Sequence, residues 1–195
     1  MVPRRRRADA VLALVGLGLG TAAAAVADRH PALERRVFER LNHPRAPYRL
    51  LAVFQQLGTP WALPATGAVA LVLGRPRLAL AAALAVPLEK AVEVGLKKAR
   101  PTHRPLWVMP TVLRGDAPTE GESFPSGHAA LAFTTVSLTA PYVPRPLTAG
   151  MAAAAAVGAA TRVHQGAHHP VDSLAGAGLG VGIGAGLGYL VGRDP

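Results

Sequence analysis

The sequence predicts an all-α integral membrane bundle of six transmembrane helices with an N-terminal interfacial amphipathic helix, formed by residues 1–195 as a single domain. Three observations predict it. Of the 195 residues, 50% are apolar and only 16% are charged, whereas soluble domains carry roughly a quarter charged residues. Apolar stretches of about 20 residues, the length that crosses a hydrocarbon core of about 30 Å, recur at 8–27, 51–73, 78–96, 126–143, 147–163 and 171–191. Aromatic residues are few while Ala, Gly, Leu and Val abound, a composition suited to membrane helices that pack by close backbone approach. The six stretches use nearly the whole chain and leave no room for a soluble domain.

The first stretch follows Arg4 to Arg7, which hold the N-terminus in the cytoplasm. Ala25-Val26-Ala27 before Asp28 also reads as a secretory cleavage site, so residues 1–27 are either a retained span or a removed leader. Next, Leu33, Val37 and Leu41 recur at helical spacing across Pro31 to Asn42, among Glu34, Arg35, Arg36, Glu39 and Arg40. That segment is too charged to span and is expected to lie in the interface. In the last stretch, Gly176, Gly180, Gly184 and Gly188 form one smooth ridge and Gly178, Gly182 and Gly186 a neighbouring one. Packing within the chain is the expected use; a homodimer interface is the alternative.

The formal net charge of +10 does not point to nucleic acid, because the cations are scattered over the N-terminus, short connections and one loop. That placement suits a membrane surface and an anion site. The absence of Cys excludes disulfides and thiolate metal sites. With the N-terminus inside, 28–50, 97–125 and 162–170 face outward.

Three polar segments therefore meet at the outer ends of spans three to six. They are Lys97 to Pro105, Ser123 to His128, and Thr161 to Asp172. Lys97, Arg104 and Arg162 are cations at span ends, where a charge needs a partner or water. Ser126-Gly127 opens a helix whose N–H groups aim at an anion. His128 and His168 can act as acid, base or nucleophile near neutral pH. Asp172, four residues after His168, is placed to accept from one ring nitrogen and fix the tautomer. These parts suit phosphoryl transfer.

Lys97 with Arg104-Pro105, then Pro125-Ser126-Gly127-His128, then Arg162, His168 and Asp172 follow the pattern K-x6-RP, PSGH, SR-x5-H-x3-D. On these residues, over about 78–175, the chain resembles the type 2 phosphatidic acid phosphatase superfamily, which also includes vanadium haloperoxidases and bacterial acid phosphatases. Thr161 replaces the usual Ser and keeps the hydroxyl. The resemblance implies His168 as nucleophile, oriented by Asp172 and forming a phosphohistidine, and His128 as proton donor to the leaving oxygen. Lys97, Arg104, Ser126, Gly127 N–H and Arg162 would hold the phosphate oxygens, with no metal or other cofactor. It implies a membrane lipid phosphatase acting on phosphatidate, phosphatidylglycerol phosphate, or a polyprenyl phosphate or diphosphate such as undecaprenyl diphosphate. Richness in Ala, Arg, Gly and Pro suits a GC-rich bacterial genome, hence a bacterial plasma membrane, and with the N-terminus inside the site lies on its outer side.

The bland readings stay beside these. His164, His168, His169 and Asp172 could imitate a metal cluster, and a non-catalytic transporter or metal-binding membrane protein is the alternative function. Vanadate-dependent oxidation is a rival within the superfamily. His103 is expected in an exposed loop. Glu89, Lys90 and Glu93, ionisable residues inside the third span, carry no assigned role. Leu106 to Leu113 is read either as a packed loop or as a segment resting on the membrane beside the site.

Overall fold

The computed structural model describes residues 4–29, 31–43 and 47–194, with backbone alone at 4–6 and 26–29. The side chains of Arg4 to Arg6, read as the cytoplasmic anchor, and of Val26 and Ala27 at the cleavage motif lie outside this description. Every regular element among the described residues is helical: α1 (Arg4–Arg29), α2 (Pro31–Leu41), α3 (Tyr48–Leu51), a 3₁₀ segment (Ala52–Gly58), α4 (Ala62–Val72), α5 (Pro76–Ala99), α6 (Pro105–Val108), α7 (Gly127–Thr139), a 3₁₀ turn (Ala140–Tyr142), α8 (Arg145–His164) and α9 (Pro170–Val191).

The expected spans correspond to helices of unequal character. By length and composition, two stretches among the described residues are long and apolar enough to cross a bilayer, Arg7–Ala25 and Pro170–Val191. Length and composition thus bear out two of the six expected spans. The stretch 51–73 is not one helix, because the 3₁₀ segment ends at Gly58 and Thr59 turns extended (φ −78°, ψ 152°). Pro60 disfavours the helical region for the residue before it, and α4 then has 11 residues. Helix α7 has 13 residues, about 20 Å at 1.5 Å per residue. Helix α5 is long enough at 24 residues but carries Glu89, Lys90 and Glu93 in its length.

The interior is built largely of Ala and Gly with a few Leu such as Leu63, while many Leu and Val point outward: Leu14 is 71% exposed, Val72 86% and Leu190 74%, against 0% for Ala82, Ala85, Ala130 and Ala155. So many large apolar side chains on the outside agree with apolar surroundings. The glycine ridges of α9 are used within the chain. A Cβ at Gly176 or Gly180 would strike the carbonyl oxygens of Ser126 and Ala130 near and within α7, and one at Gly178 would strike Gly16 of α1. Helix α2 forms where its pattern places it, but its buried residue is Phe38, fully enclosed, whereas Leu33 (56%) and Leu41 (36%) are exposed.

Successive long elements run between two ends. At one end Asp194 caps α5, its carboxylate accepting from Arg77 N (3.1 Å) and Leu78 N (3.0 Å), where Pro76 fills the first turn. Arg193 pairs with Asp9 of α1 there, its Nε 2.9 Å from Oδ2. Lys97, Ser126, Arg162 and Pro170 lie at the other end, because α5 and α8 finish there while α7 and α9 begin.

Candidate active site

The turn from α8 into α9 creates the central feature. Gly166 adopts φ 82°, its N–H reaches Val163 O (2.9 Å), and Ala167 N–H reaches Arg162 O (3.1 Å). This is the Schellman arrangement that closes a helix with a left-handed glycine. A Cβ at Gly166 would also lie 2.7 Å from Thr111 Cγ2 and 2.9 Å from Val112 O. The turn sends the chain back so that His168 and Arg162 both end buried, at 4% exposure each.

His168 Nδ1 is 2.8 Å from the carbonyl oxygen of Ser123. A carbonyl only accepts, so Nδ1 carries the proton and Nε2 keeps its lone pair for an electrophile. Asp172 was expected to be the direct partner of that nitrogen. Its Oδ2 stands 3.6 Å from Nδ1, beyond a hydrogen bond, and accepts instead from Ser123 Oγ (2.5 Å) and His169 N (2.8 Å). The reason is local: His168 precedes the first turn of α9, so the four-residue spacing is not helical and the carboxylate caps the helix. Asp172 acts on His168 by charge and through Ser123. Burial pushes the His168 imidazole below its ordinary value, against the opposing pull of Asp172, which keeps the ring neutral at physiological pH.

The cations are held by different means. Arg162 Nη1 donates to Gln55 Oε1 (2.9 Å) and Gln165 Oε1 (2.6 Å), while its Nε is buried with no protein acceptor. Gln165 passes the network to Asp116, donating to Oδ1 at 2.7 Å. That hydrogen bond holds the Asp116 carboxyl below the usual carboxylate range. Arg104 is committed to the loop, donating to the carbonyls of Glu120 (2.7 Å), Ala167 (2.8 Å) and Glu122 (3.3 Å). Lys97 donates to Glu122 O (2.9 Å) and pairs with Glu93 Oε1 (2.9 Å). Ser126 is the N-cap of α7, and its N–H donates to Asp172 O (3.0 Å). Gly127 and His128 occupy the first turn, where His128 lies within electrostatic reach of Arg162, His168, Asp116 and Glu93.

The structure thus gathers His168, Asp172, Arg162, Arg104, Lys97, Ser126, Gly127 and His128 at one end of the bundle. Sequence reasoning missed Ser123 as the partner of His168, and Gln55, Gln165 and Asp116 around Arg162. Gln55 was findable as a polar side chain inside an apolar stretch. The backbone carbonyl of Ser123 has no sequence signal. Two neighbouring histidines are occupied elsewhere: His169 Nε2 lies 3.1 Å from His103 O, and His164 Nδ1 2.7 Å from Leu41 O. Among the described residues no group of three or more His, Asp or Glu side chains is placed to hold a metal. Trp107 (66%) and Val108 (48%) lie exposed beside the site.

The model of the PAP2 superfamily matches residues 77–194. Among solved structures, the crystal structure of Aquifex aeolicus LpxE is similar with a TM-score of 0.70 and 25% sequence identity, over 78% of this chain and 92% of that one. No curated protein matches. A family match across more than half of the chain, covering all three polar segments, makes this protein a member of the PAP2 superfamily.

Proposed function

We propose that the protein is a metal-independent membrane lipid phosphatase that forms a phosphohistidine on His168. The observation that carries the reading is the Nδ1–H donation to the Ser123 carbonyl at 2.8 Å, which leaves Nε2 of a buried neutral imidazole as the nucleophile. In this mechanism His128 takes up a proton from solvent when the phosphate anion binds beside it and offsets Arg162. Nε2 attacks phosphorus, the bond to the lipid oxygen breaks, and His128 delivers that proton to the departing oxygen. Arg162 Nε, Lys97 and the N–H groups opening α7 take up the charge on the equatorial oxygens. Water activated by the now neutral His128 then hydrolyses the phosphohistidine and releases phosphate.

Membership of the superfamily supports phosphatase chemistry. The lipid part rests on the outward Leu and Val of the bundle and on a groove of about 530 Å³ between α1, α2 and α9. Its walls, including Leu19, Val37, Leu174 and Val181, are almost wholly apolar, and Pro170 and Val171 form one end. Such a groove suits a hydrocarbon chain. The reading includes a six-segment membrane bundle lying in a bacterial plasma membrane, with the site on the outer side. Phosphatidate, phosphatidylglycerol phosphate and undecaprenyl phosphate or diphosphate are the proposed substrates.

The test is phosphate release from these lipids by detergent-purified protein in chelator, with His168→Ala as control. Release that depends on His168 and survives chelation is expected. Full activity in the variant, or loss on chelation that added metal restores, overturns the mechanism.

A further inference from the structure

The face of α5 that meets the site carries a carboxylate the mechanism above does not use. Glu93 is 6% exposed, and its two oxygens are divided between two lysines of the same helix. Oε1 lies 2.9 Å from Lys97 Nζ and Oε2 lies 2.8 Å from Lys90 Nζ. The two lysines differ in setting: the side chain of Lys97 is 21% exposed and reaches the site, whereas that of Lys90 is 66% exposed and faces out. The carboxyl group also lies broadside on the first residue of α7. A Cβ built on Gly127 would stand 3.0 Å from Glu93 Cδ and 3.1 Å from each oxygen. Glu93 is further within electrostatic reach of Arg104 and His128.

An anion is thus already present among the groups assigned to the substrate phosphate. While Glu93 holds Lys97, the charge of that lysine is neutralised, and an arriving phosphate meets a like charge at close range, where the low-dielectric interior strengthens repulsion. Glu93 need not become an unpaired buried ion to give way. Lys90 already binds its second oxygen, so release of Lys97 leaves the carboxylate with a partner, and the cost of an isolated buried charge is avoided.

We propose that Glu93 is an intrinsic competitor for the phosphate site, handed from Lys97 to Lys90 when the phosphate of a substrate binds. The inference rests on the phosphatase reading for what the site binds. Glu93 thereby sets how much anionic charge a ligand must bring: a dianionic phosphate displaces it from Lys97, and a singly charged group does so poorly. Gly127 is the position that leaves room for the carboxylate, and Lys90 is a positioning residue that acts only through Glu93.

The test measures inorganic phosphate binding to the full-length protein in detergent by calorimetry, without relying on turnover. If Glu93 occupies Lys97 about nine-tenths of the time, Glu93→Gln tightens phosphate about tenfold, since apparent affinity scales with the competent fraction. Lys90→Ala removes the landing site and weakens binding about threefold in the wild-type background, and has no effect in the Glu93→Gln background, a coupling that general charge effects do not produce. Weaker binding in Glu93→Gln identifies Glu93 as a fixed support of Lys97 and overturns the proposal. So do additive effects of the two substitutions. Should Glu93→Gln fail to fold, unchanged binding in the exposed Lys90→Ala variant overturns it alone. Phosphate binding with this pattern but no lipid turnover would sink the phosphatase reading and leave the handover standing, whereas a wild-type protein that binds no phosphate sinks both.

Discussion

The two ends of the bundle both bury charged groups, and they treat them in opposite ways. At the closed end, around Asp194, the buried ionic groups among the described residues are answered: Asp194 caps α5 through two backbone N–H groups, Asp9 pairs with Arg193, and Tyr142 donates toward Asp194 (3.4 Å) while accepting from its N–H (3.1 Å). At the site end, Arg162 Nε, Asp172 Oδ1, Gln55 Nε2 and His164 Nε2 are buried without a protein partner, as is Glu89 Oε1 on the same helix as Lys97. An unpartnered buried polar atom costs about 1–3 kcal/mol. One end spends its polar groups on holding helices together; the other leaves several of its buried polar atoms without a protein partner. The contrast teaches that burial of charge is not in itself a mark of function, whereas burial without a partner points to one.

That contrast can be broken by experiment. The largest effect is expected for His168→Ala, a loss of at least about 10⁴-fold in kcat, as for nucleophiles elsewhere, with the variant still folded and monodisperse; residual turnover near wild type would remove the site end from the chemistry. At the closed end Arg193→Ala leaves Asp9 buried and unpaired, a destabilisation of about 3 kcal/mol, read as a lowered unfolding midpoint with turnover per folded molecule unchanged. An activity loss without a stability loss there would erase the distinction between the ends. Gln165→Leu removes an acceptor from Arg162 while keeping the bulk, and kcat/KM is expected to fall about tenfold, the scale of one hydrogen bond to a charged group.

The smallest effect sharpens rather than breaks the comparison. Burial disfavours the imidazolium of His168 and lowers its pKa. The neutral nucleophile therefore persists to lower pH than an ordinary histidine would, and the acid limb of kcat/KM should have its midpoint below about 6.5. Stability carries the same sign: the unfolded chain takes up the proton first, so the contribution is complete above about 6.5 and is lost as pH falls through the lowered value. An acid limb above that pH would mean that His168 is not the group titrating.

Much of the site was legible because its residue types are scarce in an apolar chain. Lys97, Arg104, Arg162, His128 and His168 stand out where charge is costly, and their grouping followed from alternation of spans. The partner of His168 was not legible, since the spacing to Asp172 suggests a helical turn and the chain instead turns at Gly166. The dual glycine ridge of α9 was legible as periodicity; which helices it meets was not. The long apolar stretches fixed helices α1, α5, α8 and α9 closely, while 51–73 was read as one span because hydropathy is blind to the break at Gly58-Thr59-Pro60. That break has a use: the 3₁₀ segment brings Gln55 to Arg162 and packs Gly58 against the backbone of His128.

The sequence by itself determined the helical class, the apolar character of the bundle and the candidate residues of the site, because periodicity, hydropathy and rare ionisable residues are properties of the chain. Tertiary structure alone decided which acceptor fixes the His168 tautomer, that Gln55 reaches Arg162, and that Lys97 donates to Glu122 O besides pairing with Glu93 on its own helix. Those depend on contacts of a few ångströms between segments 25 to 107 residues apart, set by packing that no local pattern encodes.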